Sequence, residues 1–213
     1  MTSARDAIID RIRDVVGRDR RSAADEYGAI ERQYRRDSQL TQAERLELFA
    51  SRIVHYDGSV QSCSRRELPE TLAAMLAARG KTRVFVPAGI DRSWLPPGLE
   101  FVADNDASPA ELDASEGALT GCSAAVATTG TIVLAHGPAE GRRALTLVPD
   151  YLLVVVFADQ IVETVAEAIS RVAGMSPAVV TTISGPSATS DIEMTRIKGV
   201  HGPRTLDVVL VAG

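Results

Sequence analysis

The chain has 213 residues, of which 45% are hydrophobic and 24% are charged, and its formal net charge is −5. This length allows one large domain, or one domain with an extension, and the composition is that of an ordinary globular protein. The acidic balance argues against nucleic acid as the main partner, because neutralising phosphates requires a clustered basic surface.

The sequence gives no signal for export, membrane insertion or a metal cluster. The N-terminus lacks a signal-peptide pattern, and no apolar run approaches the roughly 20 residues that span a bilayer. Cys63 and Cys122 are the only cysteines, so there is no Cys-x-x-Cys set for an iron–sulfur cluster or a structural zinc. We therefore expect a cytoplasmic protein with free thiols, no metal site and no cofactor of its own.

The first 54 residues favour helices. Ser3 can cap a helix over residues 3–16, where apolar residues recur at helical spacing. Residues 22–37 fit either a second helix or a partly disordered stretch, and Thr41 with Glu44 forms a capping box for a third helix. We predict a helical N-terminal extension over residues 1–54. It would pack on the main domain, reach another subunit of a homo-oligomer, or stay mobile until a partner binds.

From residue 55 onward, the pattern alternates between strands and helices. Predicted strands over 55–61, 82–87 and 99–103 alternate with predicted helices over 65–79 and 108–112, and a later helix covers 160–172. This alternation is typical of parallel strands crossed by helices. We predict an α/β domain over residues 55–213 with a central, mostly parallel sheet flanked by helices. In such sheets, ligands usually lie at the carboxyl ends of the strands.

The second half of the chain is richer in strand signal. The run 151–157 is apolar on both faces, as a central strand requires. Further strands are predicted over residues 123–127, 131–135, 145–148, 178–183 and 206–211.

Two short polar loops lie among these strands. Thr128, Thr129, Gly130 and Thr131 fit either a hairpin turn of β-prone threonines or a loop that offers hydroxyl and backbone donors to an anion. Residues 137–143 place Arg142 and Arg143 after a flexible turn, and arginine binds carboxylate or phosphate through paired donors. Adjacent residues entering a strand point to opposite faces, so we expect one of the two arginines to face a site.

The third polar segment, residues 184–204, is the richest in chemical groups. Ser184, Gly185 and Ser187 form a tight turn after a strand, and residues 190–193 fit a capping box that opens a helix. A strand, a turn and a helix N-terminus in this order suit an anion. Glu193 either closes the capping box or serves as a general base or nucleophile. The turn at residues 202–203 could hold the imidazole of His201 in a cleft.

With these loops in view, the sequence resembles the LUD family, and within it the lactate-utilisation protein C (LutC) group. The matching blocks are residues 127–133 (Ala-Thr-Thr-Gly-Thr-Ile-Val), 141–150 (Gly-Arg-Arg-Ala-Leu-Thr-Leu-Val-Pro-Asp), 184–193 (Ser-Gly-Pro-Ser-Ala-Thr-Ser-Asp-Ile-Glu) and 199–204 (Gly-Val-His-Gly-Pro-Arg). The first block is more often Glu-Thr-Gly-Thr, so Thr128 stands where an acidic residue is common.

The resemblance implies a fold like that of the NagB, ribose-5-phosphate isomerase (RpiA) and CoA-transferase superfamily. It also implies a part in cytoplasmic L-lactate oxidation to pyruvate, with LutA-like and LutB-like partner proteins that carry the iron–sulfur clusters. The candidate catalytic residues are Glu193 and His201. The candidate residues for binding a small anionic ligand are Thr129, Gly130, Thr131, Arg142, Ser184, Gly185, Ser187, Thr189, Asp191 and Arg204.

Two alternatives remain open at this point. The chain could be an independent acyl-transfer or sugar-phosphate enzyme of the CoA-transferase-like superfamily, with Glu193 as nucleophile or base. This alternative rests on analogy between folds. The chain could also be a scaffold whose N-terminal helices mediate assembly.

Overall fold

The computed structural model describes residues 3–16, 23–35, 37–175, 179–189, 197–198 and 202–212. Contacts divide the chain into two compact units, Met1–Tyr34 and Arg35–Gly213. The smaller unit contains α1 (Ala4–Val16) and α2 (Ala23–Ala29). The backbone N–H of Asp6 donates to the Ser3 hydroxyl at 3.2 Å, so Ser3 caps α1 as the sequence indicates.

The first helix of the larger unit lies almost entirely within the predicted N-terminal extension. This helix, α3 (Gln42–His55), opens with the predicted capping box between Thr41 and Glu44. Phe49 and Ile53 on α3 are fully buried in the core of the larger unit. The proposed domain boundary between residues 54 and 55 stays a prediction, although α3 itself packs as part of the larger unit.

The larger unit alternates strands with short helices. Its further helices are α4 (Leu68–Ala78), α5 (Pro109–Asp113), α6 (Arg143–Leu147) and α7 (Val165–Ala173). Its strands are β1 (Ser59–Ser64), β2 (Arg83–Pro87), β3 (Glu100–Asp104), β4 (Ala118–Thr120), β5 (Ala124–Val126), β6 (Thr131–Leu134), β7 (Tyr151–Phe157), β8 (Ile161–Val162), β9 (Thr181–Ile183), β10 (Ala188–Thr189), β11 (Ile197–Lys198) and β12 (Thr205–Ala212).

Six of these strands form the main sheet, in the order β1-β12-β7-β4-β2-β3, and every neighbouring pair is parallel. Strand β7 lies inside the sheet, and its successive side chains point into two different hydrophobic clusters. Leu152 and Val154 pack into one cluster with α3, whereas Leu153 and Val155 pack into the other with α4. The predicted α/β fold with a central parallel sheet flanked by helices is confirmed.

A second sheet has the order β8-β5-β6-β9. Strands β5 and β6 form an antiparallel hairpin, β9 pairs antiparallel with β6, and β8 pairs parallel with β5. Strand β5 follows directly after β4, which belongs to the main sheet. The second sheet therefore starts near the carboxyl ends of the main strands, where ligands usually bind in folds of this class.

Some element assignments from sequence were wrong. Residues 145–148, predicted as a strand, belong mostly to helix α6, because a short apolar run does not distinguish a strand from a buried helical turn. Strand β4 was missed because its 3 residues give too short a pattern. The strand predicted from residue 55 begins at Ser59, after the end of α3.

The described ranges contain neither a membrane-spanning helix nor a metal-binding cluster. None of the helices there combines the length and apolar character needed to cross a bilayer. The same ranges contain no group of three or more His, Cys, Asp or Glu side chains placed to hold a metal ion.

Candidate functional site

The carboxyl edge of the main sheet contains a cavity where its strand connections diverge. From β2 the chain continues to β3 on one side, whereas from β4 it leads towards β7 on the other. Such a switch point is the usual ligand crevice of open parallel sheets. A cavity of about 530 Å³ lies at this edge, lined among others by Gly89, Asp104, Asp106, His136 and Arg142.

Arg142, a predicted ligand-binding residue, is held by a carboxylate in this cavity. Its Nε donates to Asp104 Oδ2 at 2.7 Å, and its Nη2 donates to Asp104 Oδ1 at 2.9 Å and to the carbonyl of Ala107. The Asp104 side chain is only 2% exposed, so Arg142 is the group that neutralises it. The role of Arg142 as an anion clamp stays a prediction, and it would require this bidentate pair to open.

His136 lines the same cavity but was not selected from the sequence. Its backbone has a φ of 58°, in the left-handed region that few residues other than glycine adopt. Its Nδ1 lies 2.8 Å from the carbonyl oxygen of Gly141, and its Nε2 lies 2.8 Å from Thr181 Oγ1. In the sequence, His136 has no partner at metal-ligand spacing, and no chemical motif surrounds it. The glycines that flank the loop after His136 were the one local signal of unusual backbone geometry.

The turn that carries these groups is held by a buried carboxylate. Glu140 is 4% exposed and accepts hydrogen bonds from the Ser123 hydroxyl and, at 3.2 Å, from the backbone N–H of Gly137. The backbone N–H of Gly141 donates to the Gly137 carbonyl at 3.0 Å. The turn over residues 137–141 is therefore fixed both by its own backbone and by Glu140.

Cys122 lies close to this turn and is not a reactive thiol. It is buried, and its Sγ contacts Gln160 Oε1 at 3.4 Å. Burial raises the pKa of the Cys122 thiol well above its ordinary value, which disfavours the nucleophilic thiolate. Burial also raises the pKa of Cys63. Both cysteines are therefore buried thiols that contribute to packing.

At the opposite end of the second sheet, three hydroxyl groups form a chain. Thr129 Oγ1 lies 2.7 Å from Thr131 Oγ1, and Thr131 Oγ1 lies 2.8 Å from Ser184 Oγ. We call these three residues the hydroxyl row. Thr129 and Ser184 are exposed. The structure thus brings together candidates from two sequence blocks, on the turn of the β5–β6 hairpin and at the end of β9.

Two glycines let the hydroxyl row approach helix α3. Gly130 has a φ of 62°, and a Cβ placed there would lie 2.6 Å from the Cβ of Arg52. Gly185 has a φ of 84°, and a Cβ placed there would lie 2.5 Å from the Cβ of Tyr56. Glycine is needed at both positions, because a Cβ would strain the backbone at a positive φ and would clash with Arg52 or Tyr56.

The turn after Ser184 also contacts the segment that leads into β12. The backbone N–H of Ser187 donates to the carbonyl of Pro203 at 2.8 Å. Arg204, another candidate, donates from Nε to Asp150 Oδ1 at 2.5 Å, and both side chains are more than half exposed. The Ser187–Pro203 contact places the two turns side by side, and Arg204 is bound by a carboxylate.

One of the remaining candidates lies in a short strand, and three lie outside the described residues. Thr189 lies in the short strand β10, which pairs with β11. Asp191, Glu193 and His201 lie outside the described residues. The roles predicted for these residues stay predictions.

Thr128, which stands where an acidic residue is common in the family, makes a side-chain hydrogen bond to the backbone of Glu163. Its Oγ1 donates to the backbone carbonyl of Glu163 at 2.9 Å. The Glu163 carboxylate accepts from the backbone N–H groups of Leu40 at 2.8 Å and Gln39 at 2.5 Å, and from the Ser38 hydroxyl at 3.0 Å. These bonds, the Leu40 amide foremost, lower the pKa of Glu163. Thr128 therefore anchors the hairpin turn to Glu163, which in turn fixes the segment before α3.

A second cavity, of about 520 Å³, differs in character from the first. It is a groove between α7 and the second sheet, and its lining is mostly aliphatic, including Val126, Val133, Ile169 and Val172. Small polar ligands are oriented by a few convergent polar groups, which this groove largely lacks. The carboxyl-edge cavity and the hydroxyl row are therefore the better candidates for a small anionic ligand.

Comparison with known proteins agrees with the family resemblance. The LUD domain model matches residues 92–211. Lactate utilization protein C of Deinococcus radiodurans is 46% identical over 81% of this chain and 82% of that protein. Lactate utilization protein C of Anoxybacillus flavithermus is 27% identical over 93% of this chain and 94% of that protein.

A solved structure gives the same result at the level of the fold. The crystal structure of a DUF162 family protein from Deinococcus radiodurans matches with a TM-score of 0.70 and 39% identity, covering 82% of this chain and 99% of that chain. The matched sequence includes the hydroxyl row, His136 and both arginines of the carboxyl-edge turn. The chain belongs to the LUD domain family.

Proposed function

We propose that this chain acts in L-lactate utilisation, as a cytoplasmic component of the oxidation of lactate to pyruvate that works with iron–sulfur partner proteins. The observation that carries the proposal is the 46% identity to a protein named for lactate utilisation, over four fifths of both chains. The two cysteines are buried, and they do not form a set of cluster ligands. Electron transfer through iron–sulfur clusters would then belong to the partners.

The hydroxyl row supports binding of a small anionic ligand. Two of its three hydroxyl protons serve the bonds within the row, which leaves one O–H and several lone pairs for a ligand. The Cβ of Arg52 lies beside Gly130, and the residue is exposed. The guanidinium of Arg52 is therefore a cation available next to the hydroxyl row. Hydroxyl groups beside an arginine suit a carboxylate or a phosphate.

Growth on lactate tests the physiological part of the proposal. A host lacking the gene for this chain should fail to grow on L-lactate as sole carbon source, and a plasmid copy should restore growth. Growth on pyruvate is the control, because it bypasses the oxidation step. Equal growth on L-lactate with and without the gene would contradict the proposal.

Co-purification tests the partner proteins. A tagged copy of the chain in lactate-grown cells should retain proteins that carry iron–sulfur clusters, recognised by their absorbance and iron content. The tagged chain from the same cells grown on pyruvate gives the background. Recovery of the tagged chain alone from lactate-grown cells would count against a complex.

Ligand titration tests the hydroxyl row. Inorganic phosphate and pyruvate are added to the purified chain, and binding is followed by calorimetry. Thr131→Val preserves the shape of the side chain and removes the central hydroxyl, so affinity should fall about fivefold, as expected for ~1 kcal/mol from one hydrogen bond. Ser170→Ala removes a hydroxyl that bonds within α7 and serves as control. Equal affinity in both variants would remove the row from the site.

A further inference from the structure

We propose that Thr181, His136 and Arg143 form a binding site for a short 2-hydroxycarboxylate at the carboxyl edge of the main sheet. Thr181 and His136 were not candidates from the sequence, and Arg143 was only the alternative to Arg142 as an arginine facing the site. They come together because the turn after β6 meets the first residue of β9, 45 positions later in the chain. We call these three residues the imidazole site.

The hydrogen bonds of the imidazole site fix the direction of its protons. The carbonyl oxygen of Gly141 can only accept, so His136 Nδ1 carries the proton of that 2.8 Å bond. In the neutral ring, Nε2 is then an acceptor. Arg143 Nη1 can only donate, and it lies 3.3 Å from Thr181 Oγ1. The single proton of the Thr181 hydroxyl is therefore directed at His136 Nε2, 2.8 Å away.

This arrangement matches that of a positioned base. An imidazole oriented by a carbonyl through one nitrogen presents the other nitrogen to a hydroxyl, as in sites that polarise hydroxyl groups. His136 also holds a backbone φ of 58°, and non-glycine residues keep such a conformation where the surrounding structure enforces it. The buried Glu140 supplies that enforcement by fixing the next turn.

The two neighbouring arginines have different electrostatic roles. Arg142 is bound on both arms by the buried Asp104. Arg143 is exposed, and within the described ranges no carboxylate pairs with it. Of the five N–H donors of a guanidinium, its contact with Thr181 uses one. Arg143 therefore has a free face for a carboxylate, which Arg142 lacks.

A 2-hydroxycarboxylate meets the requirements of all three groups. Its carboxylate can take the remaining donors of Arg143 in a bidentate pair. Its hydroxyl, one carbon away, can donate to His136 Nε2 in place of Thr181, and Thr181 can then donate to the ligand. His136 lines the cavity of about 530 Å³, which has ample room for a three-carbon acid. A carboxylate without the neighbouring hydroxyl would satisfy Arg143 only.

Nuclear magnetic resonance can test the imidazole site directly, because the chain has 3 histidines. His136→Asn assigns the ring signals of His136, and asparagine tolerates a positive φ better than most residues. L-lactate and propionate, which differ by the 2-hydroxyl, are titrated separately. We expect L-lactate to shift the His136 ring signals and to bind more tightly than propionate. Unchanged His136 signals with both L-lactate and glycolate at saturating concentration would overturn the proposal. If L-lactate does shift the His136 signals, equal affinity for L-lactate and propionate would also overturn it.

Two variants separate the contributions of the site. Arg143→Gln should weaken L-lactate and propionate alike by about tenfold or more, the loss expected for a charge-assisted hydrogen bond. Thr181→Val should reduce the preference for L-lactate over propionate. Arg66→Gln, at an exposed arginine elsewhere, should bind both acids as the unsubstituted chain does. Equal weakening by Arg66→Gln and Arg143→Gln would also overturn the proposal.

The use of L-lactate as a probe rests on the proposed function, whereas the site rests on its own geometry. Glycolate is a 2-hydroxycarboxylate with no place in that function, and His136 shifts with glycolate alone would support the site and reject lactate as its ligand. Growth on lactate that is independent of the gene would contradict the proposed function while the binding result still stands. Failure of one proposal is thus distinguishable from failure of the other.

Discussion

The two ends of strand β9 carry different kinds of polar group. Thr181, at its start, contacts His136 and Arg143, whereas Ser184, just beyond its end, joins the hydroxyl row. The two positions are about 10 Å apart at ~3.3 Å per residue. One end contains an imidazole and two neighbouring arginines, one of which binds a buried carboxylate, and the other end contains neutral hydroxyls on glycine turns. We therefore expect stability to depend on ion pairing at the first end and on backbone conformation at the second.

The largest expected effect is at the charged end. Asp104→Ala leaves the guanidinium of Arg142 without its carboxylate, in a pair whose acidic member is 2% exposed. Leaving a buried charge unpaired costs about 3 to 5 kcal/mol in the free energy of unfolding, and we expect about 3 kcal/mol because the remaining Arg142 side chain is 35% exposed. Urea denaturation measures the loss. Asp113→Ala, at an exposed carboxylate, should change the free energy by less than about 0.5 kcal/mol. A loss below about 1 kcal/mol for Asp104→Ala would show that Arg142 is not bound as described.

The next effect tests the glycine turn at the other end. Gly130→Ala places a Cβ at a φ of 62° and 2.6 Å from the Cβ of Arg52. We expect a loss of about 2 kcal/mol, because both the backbone and the contact with α3 must adjust. Thermal unfolding provides the measurement.

Gly137→Ala is the matched control for that change. Gly137 lies at the charged end of β9, and a Cβ there would have no atom within 4 Å. It should therefore be close to neutral or slightly stabilising, since alanine lowers the conformational entropy of the unfolded chain. If both substitutions cost the same, the two ends of β9 do not differ in backbone constraint.

Local signals were enough to predict much of the fold. Thr41 and Glu44 are three residues apart, and their capping box occurs as predicted because its partners adjoin in sequence. The apolar run 151–157 predicted the central strand from local sequence as well, because a strand buried on both faces shows no alternation of apolar and polar residues. The strand predicted over residues 145–148 was wrong because a four-residue apolar run does not determine its own structure.

The candidate site was less accessible from the sequence. Thr129, Thr131 and Ser184 were chosen as polar loop residues, and the structure does bring them into contact. The choice of Arg142 over Arg143 could not be made locally, because it depends on Asp104, 38 positions away. A pairing over that distance is set by which strand ends lie side by side, and spacing along the chain does not encode it.

The smallest expected effect is a change in how stability depends on pH. The pKa of Glu163 lies below its ordinary value of 4.5, chiefly because the backbone N–H of Leu40 donates to the carboxylate. A lowered pKa stabilises the folded state above the unfolded-state pKa, and this contribution is lost as the pH falls through the folded pKa. The unsubstituted chain should therefore lose more stability than Glu163→Gln between about pH 5 and pH 3.

Comparison of thermal unfolding at pH 7 and pH 3 isolates this contribution. Glu47→Gln, at an exposed glutamate on α3, corrects for acid effects shared by the whole chain. After that correction, the difference in unfolding temperature between Glu163→Gln and the unsubstituted chain should be smaller at pH 3 than at pH 7. Protonation removes the negative charge of Glu163 at pH 3, whereas the substitution removes it at every pH. A gap of equal size at both pH values would mean that Glu163 does not bind the segment before α3 as a carboxylate. Its carbonyl contact with Thr128 would then be its main contribution to the hydroxyl end of the second sheet.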